Sequence, residues 1–373
     1  SGEEDFAALE GEQLFQYVDE IVGFSRQSRA EGNRVWGRVT GFPSAERTIR
    51  WAADQFRDAG LVNVAVQEYP ASADMWWADD WEVRLLADSA FGDNSRDVIL
   101  ETSLPTGESH IEGSSFTAPL VLVGHISEPI PNVDVQGKIA VQRLTPLTGA
   151  YSERTPTRER AQQLIARGAV AVINVVEQTG NMHTRDFSNC NGPCFNLGTT
   201  DGEFLIAVMQ RAQSAGLSER LRIQLTLDAG MRSSLSGHNA MAMVDGDNGR
   251  DGEIVIVNAH ADGWYDAAGD NADGLAVLIG MARHFAQPEN RPARNIVFVA
   301  SGGHHSRGLN GPANFVRMNP SILERTVLVL NLEHIAQFEI HSQDWSVGPN
   351  EQPMNFSITN AAPFLTELTR TAM

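Results

Sequence analysis

Apolar positions in the N-terminal segment fall at helical intervals. Leu14, Val18, Ile21 and Val22 recur three and four apart after an acidic start, which predicts a helix with one apolar face. A second helix is expected to begin at Ser44, acting as N-cap, and to run through ERTIRWAADQFRDAG to about Gly60. The next run, VNVAVQEY, alternates apolar and polar and reads as a strand, so the chain opens as an α/β domain. Trp76, Trp77 and Trp81 cluster in the acidic segment MWWADDW. They are expected to pack under a loop, with an aromatic wall beside a ligand cleft as the alternative.

Between about residues 100 and 230 the pattern shortens. APLVLVG, GKIAVQRL and AVAVINVV read as brief strands, with the helical run RERAQQLIARGA between the last two. A further helix, EFLIAVMQRAQSAG, and a strand, RLRIQLTLDAG, follow. From about 236 onward apolar strands alternate with amphipathic helices: GEIVIVNAH, LAVLIGMARHF, ARNIVFVAS and TVLVLNLEH. Strands apolar along their whole length predict a mostly parallel, mixed sheet covered by helices on both faces. Ligands of such sheets sit at the carboxyl ends of the strands. Three of those ends carry His, Asp or Glu.

A length of 373 residues leaves room for two domains, one inserted in the other. Net charge is −19, from 47 acidic and 28 basic side chains, which argues against nucleic acid and anionic membranes as partners. Lys138 is the only lysine. No apolar run reaches the roughly 20 residues of a bilayer span. No signal peptide is visible, and the start SGEEDF is compatible with processing. Cys190 and Cys194 lie four apart; a short-loop disulfide in an exported protein and two free thiols both fit, and a zinc site would need more ligands than this pair offers.

The chemistry gathers in one stretch. GEIVIVNAH ends in His260, and Asp262 follows on the same side of the strand, placed to orient the imidazole. The loop GWYDAAG leads to Asp270, Asn271, Asp273 and Gly274 at a helix start, and a later strand ends in Glu333 and His334. A lone histidine at a strand end is usually a satisfied core or loop side chain. The ordered set of imidazoles and carboxylates points instead to a divalent transition metal, above all zinc.

This arrangement resembles the di-zinc aminopeptidase family that includes aminopeptidase Y, bacterial leucyl aminopeptidases and glutamate carboxypeptidase II. The most specific piece is NAHADGWYDAAGDNADGLAVLIGMARHF, residues 258–285. DVQGKIAVQRL and AQQLIARGAVAVINVV resemble the protease-associated domain, a β-rich module inserted in several members. The resemblance implies a zinc exopeptidase-like fold in three parts: residues 1–100 as the N-terminal part of the peptidase-like domain, 101–232 as the protease-associated insertion and 233–373 as the main domain. It implies metal ligation by His260, Asp270 and Glu333, with Asp262 supporting His260 and Asp270 bridging two metals. Asp273 stands where the family has Ser, and Glu333 where it has Asp.

GGHHSRGLNG departs further. The family has two adjacent glutamates there, a base and a ligand; this chain offers His304 and His305 in one alignment, His305 and Ser306 in another. The implied reading is a metal-dependent hydrolase of peptide or small amide substrates, aminopeptidase-like, with one or two Zn2+ ions. His304 or His305 would serve as base, and His305 as an alternative ligand. A receptor-like relative without chemistry and one-metal amide chemistry such as glutaminyl cyclisation are the alternatives. The family's last ligand, a late His, has no match: His341 lies too early, and the helix-like PFLTELTRTAM follows, so either the chain is cut short or the second metal is incomplete. Trp264 and Tyr265 are expected at the cleft mouth as substrate-binding residues, and Asp266 as solvated loop. With the cysteine pair inside the insertion, a structural disulfide and a secreted or periplasmic location are expected.

Overall fold

The computed structural model describes residues 6–146, 154–185, 189–247, 252–336, 338–341 and 346–349, with residues 365 and 367. The helix-like run 363–373 therefore lies, but for two positions, outside the described residues.

The apolar strands of the third part build a five-stranded sheet. Its order is Thr326–Asn331, Ile254–His260, Asn295–Ser301, Ser236–Val244 and Val62–Pro70. The first three strands are parallel, and Ser236–Val244 pairs antiparallel with both of its neighbours, so the fold is mixed α/β as its patterning predicts. One face is covered by helices Gly11–Ala30, Pro43–Asp58 and Asp273–Ala286, whose apolar sides meet Val257, Ala259 and Phe298 in the larger core of this lobe. The other face carries the short helix Gly311–Met318, with Phe315 packed on Met241, Ile256 and Val299.

The second helix starts earlier than Ser44. Phe42 occupies the N-cap and Pro43 the first turn, where its missing N–H costs nothing. The Ser44 hydroxyl instead donates to Gly37 O at 2.6 Å, tying the helix to the short strand Gly37–Arg38 before it.

A second lobe is built on an eight-stranded mixed sheet that contains the strands Met75–Leu85, Arg222–Arg232, Ser115–His125, Ile139–Leu144, Ala171–Val176 and Cys194–Gly198. MWWADDW thus forms the first part of the strand Met75–Leu85. Trp81 lies in the core of this lobe, with its Nε1–H on Ser103 O at 2.7 Å. Met75–Leu85 and Val98–Ile99 pair into this sheet, so it reaches back well before the boundary expected at residue 100. Cys190 and Cys194 are buried and joined as a disulfide, with Cα atoms 6.1 Å apart.

Candidate metal centre

Parallel register fixes the height of the site. His260 pairs with Ser301, and Asn258 with Asn331, so the turn after Ser301 and Glu333 both end level with the His260 imidazole. The loop between Ala261 and Ala272 then returns Asp270 to the same point.

His260 Nε2 lies 3.1 Å from Asp270 Oδ1 and 3.8 Å from Glu333 Oε1. One donor atom from each of these residues falls within 4.8 Å of the others, and the same holds for His260, His304 and His305. His305 Nε2 is 3.0 Å from Asp270 Oδ1, and His304 Nε2 is 3.6 Å from Glu333 Oε1. The His304 ring stacks on His260 at 4.4 Å between centroids. His304 and His305 therefore both reach the cluster, and the neighbouring Ser306 is buried.

Asp262 is buried and fastens the site twice. Its carboxylate accepts the backbone N–H groups of His304 at 3.1 Å and His305 at 2.9 Å. Its Oδ1 is 3.4 Å from His260 Nδ1, which meets the Asp262 carbonyl oxygen at 3.1 Å. The imidazole is thus oriented through Nδ1, leaving Nε2 for the cluster. Glycine is required in the turn: Gly303 adopts φ +77°, and a Cβ there would overlap the Leu309 carbonyl. Gly274 is required at the helix start, where a Cβ would strike the Asn271 side chain.

The electrostatics follow from this crowding. Burial works to lower the His260 pKa, but Asp262 and Asp270 outweigh it and hold the imidazole up to about 9. Burial works to raise Asp270 and Asp262, yet His260 and His305 keep both below the usual carboxylate range. Burial, with His260 and His305 adding to it, lowers His304. Burial raises Asp273, whose carboxylate accepts Gly274 N–H and Ala336 N–H and so binds the helix start to the loop after Glu333.

The donor set fits a transition metal. His260 Nε2 is buried and has no hydrogen-bond partner, although Asp270 lies 3.1 Å away. Close approach without hydrogen-bond alignment is how two ligands of one ion sit, about 3.3 Å apart around a tetrahedral centre with bonds near 2.0–2.1 Å. Imidazole and carboxylate together suit zinc and its neighbours.

Several residues that hold the site gave no signal in the sequence. Arg38 is fully buried, and its guanidinium donates to the carbonyls of Ala261 at 2.9 Å, Asp266 at 3.0 Å and Ala267 at 3.0 Å, and to Ser25 Oγ at 2.8 Å. It clamps the loop between His260 and Asp270. Burial lowers its pKa to about 10, still charged at neutral pH. Thr40 Oγ1 and Asn239 Oδ1 accept the N–H groups of Gly303 and Gly302. His334 also faces the cluster, a histidine visible in the sequence but given no role there.

Trp264 and Tyr265 are taken up by contacts with other parts of the chain. Trp264 stacks on Trp77 at 5.9 Å, with the Arg185 guanidinium over its ring. Tyr265 lies between Trp36 and His183, and burial pushes its phenol up to about 12. Both therefore stand at the junction of the two lobes. Asp266 pairs with Arg26 at 3.1 Å.

Residues 239–363 match the sequence profile of peptidase family M28. No curated protein sequence matches the chain. Among solved structures it is similar to the M28 peptidase precursor of Shewanella amazonensis SB2B (18% identity, 85% of this chain and 72% of that one, TM-score 0.60). It is also similar to BSAP, a zinc aminopeptidase from Bacillus subtilis (21% identity, 86% and 69%, TM-score 0.56). A third is the aminopeptidase from Aneurinibacillus sp. strain AM-1 (18% identity, 89% and 72%, TM-score 0.53). The profile match falls on the part of the chain that carries the candidate metal cluster, and the likeness of fold extends over most of the chain.

Proposed function

We propose that the chain is an aminopeptidase-like hydrolase of peptide or small amide substrates, with zinc held by His260, Asp270, Glu333 and His305. The observation that carries this reading is the buried His260 Nε2, unpartnered and facing two carboxylates. Zinc, when bound, supplies a Lewis acid that polarises the scissile carbonyl and makes water acidic enough to attack it. The protein residues do the rest. Asp262 keeps His260 aimed through Nδ1 and holds the His304–His305 turn against the cluster. His304 has a half-exposed side chain beside Glu333, so it can accept a proton from the attacking water and return it to the leaving amine, the part a glutamate takes in the family this chain resembles.

We assign the second lobe the part of a protease-associated module walling the substrate entry, with Trp264 and Tyr265 at its junction with the metal loop. The buried Cys190–Cys194 disulfide and the acidic composition support a secreted or periplasmic setting.

Stripping metal with a chelator is expected to abolish hydrolysis of leucine p-nitroanilide, and added Zn2+ to restore it. Full activity in protein shown to be metal-free would overturn the reading. The lack of a carboxylate at positions 304 and 305 favours, as a second reading, a metal-holding protein that binds peptides without cutting them. Metal uptake with no turnover of any aminoacyl substrate would select it.

A further inference from the structure

Taking the cluster as a metal centre, on which this inference rests, we propose that Asn331 is a positioning residue for Glu333. It holds one carboxylate oxygen so that the other faces the cluster, and Asn258 sets the direction of its amide. Glu333 divides its two oxygens. Oε1 lies 3.8 Å from His260 Nε2 and 3.6 Å from His304 Nε2. Oε2 accepts a hydrogen bond from Asn331 Nδ2 at 3.0 Å.

That bond belongs to a chain with a single polarity. An ionised carboxylate only accepts, so Asn331 must turn its NH2 toward Glu333 and its oxygen the other way. There Asn331 Oδ1 accepts from Asn258 Nδ2 at 2.6 Å. Asn258 and Asn331 are register partners on the parallel strands Ile254–His260 and Thr326–Asn331. Asn258 also stands two residues before His260, on the same side of its strand. The strand that ends in His260 thus aims the Glu333 side chain through one intervening amide.

An asparagine pair at a sheet edge is ordinarily solvated surface. This pair instead lines one cavity of about 340 Å3 with His260, His304 and Glu333, against the ring of Phe315. The need for a guide comes from length. A glutamate has one torsion more to fix than an aspartate, and a carboxylate held by nothing turns between one-oxygen and two-oxygen contact with an ion. Anchoring Oε2 leaves Oε1 alone for the cluster. Partners of this kind tune metal affinity without touching the ion.

The test strips the full chain with chelator and measures Zn2+ affinity by competition with a chelating dye. Co2+ substitution is followed by visible absorption, and the thermal midpoint of the metal-free protein is measured alongside. Asn331→Ala is expected to bind Zn2+ about 10- to 100-fold more weakly and to change the Co2+ band. Its metal-free midpoint should stay at the wild-type value, because Asn331 is exposed. Asn258→Ala should shift affinity in the same direction by less, since Asn331 keeps its contact with Glu333 and loses only its guide. Unchanged affinity and band in Asn331→Ala, or a lower affinity accompanied by a lower metal-free midpoint, would overturn the proposal and leave the metal reading standing. No uptake by wild type would instead remove the metal reading itself, and this inference with it.

Discussion

Arg38 carries no reacting atom, yet the loop between His260 and Asp270 hangs on it. Its three carbonyl partners, on Ala261, Asp266 and Ala267, come from that single loop, which links the strand that ends in His260 to the helix start beside Asp270. Arg38→Met keeps the aliphatic volume and removes the donors, leaving those carbonyls without their partner. Each stranded group costs on the order of 1–3 kcal/mol, so the variant should lose about 3 kcal/mol or more of stability by urea denaturation. Metal affinity should fall with it, because Asp270 loses its fixed position. An unchanged denaturation midpoint and unchanged Zn2+ affinity would show that the clamp is idle. None of this was legible in the sequence: an arginine whose partners are backbone oxygens more than 200 positions away leaves no local pattern. His260 and Asp270 were legible, because a strand end and a helix start follow from periodicity and the spacing between them is short.

At the scale of elements, what could be read depended on how regular the element is. The three parallel strands at the metal centre were readable as unbroken apolar runs because both faces of the two inner ones are covered. Met75–Leu85 escaped because a bulge breaks its alternation. Asp228 pairs with Asp80 and Ala229 with Ala78, leaving Asp79 unopposed and paired with Arg232 at the surface. The turn that brings His304 and His305 to the cluster is a different case, an element defined by one glycine. Gly303→Ala forces a side chain into a left-handed residue and against the Leu309 carbonyl. It should cost about 2 kcal/mol or more and weaken metal binding, since the two histidine amides would leave Asp262. Gly107→Ala, at a position with open space and ordinary φ, serves as control and should stay within about 0.5 kcal/mol. Equal thermal midpoints for the two variants would refute the claim that this turn has a single allowed conformation.

For the whole molecule the governing quantity is charge. A net −19 spread over a single chain with one lysine produces a negative field around any cleft, and three of the carboxylates counted in it, Asp262, Asp270 and Glu333, stand at the candidate metal centre. The field reaches only about 10 Å at 0.1 M salt and about 30 Å at 0.01 M, so its effect on an approaching substrate must depend on ionic strength. If the chain hydrolyses peptides, kcat/KM for a dicationic peptide should fall about threefold to tenfold between 10 mM and 300 mM salt, as local enrichment of the cation is screened away. A dianionic peptide of the same length should show the opposite slope, and a neutral one almost none. The sign of these slopes separates the global field from the site. Bound zinc would offset the nearby carboxylates and leave the distant acidic surface as the source, so the slopes should persist in Arg38→Met and in Gly303→Ala even where turnover drops. Salt dependence that vanishes with those local changes would place the selectivity in the metal centre and not in the acidity of the molecule.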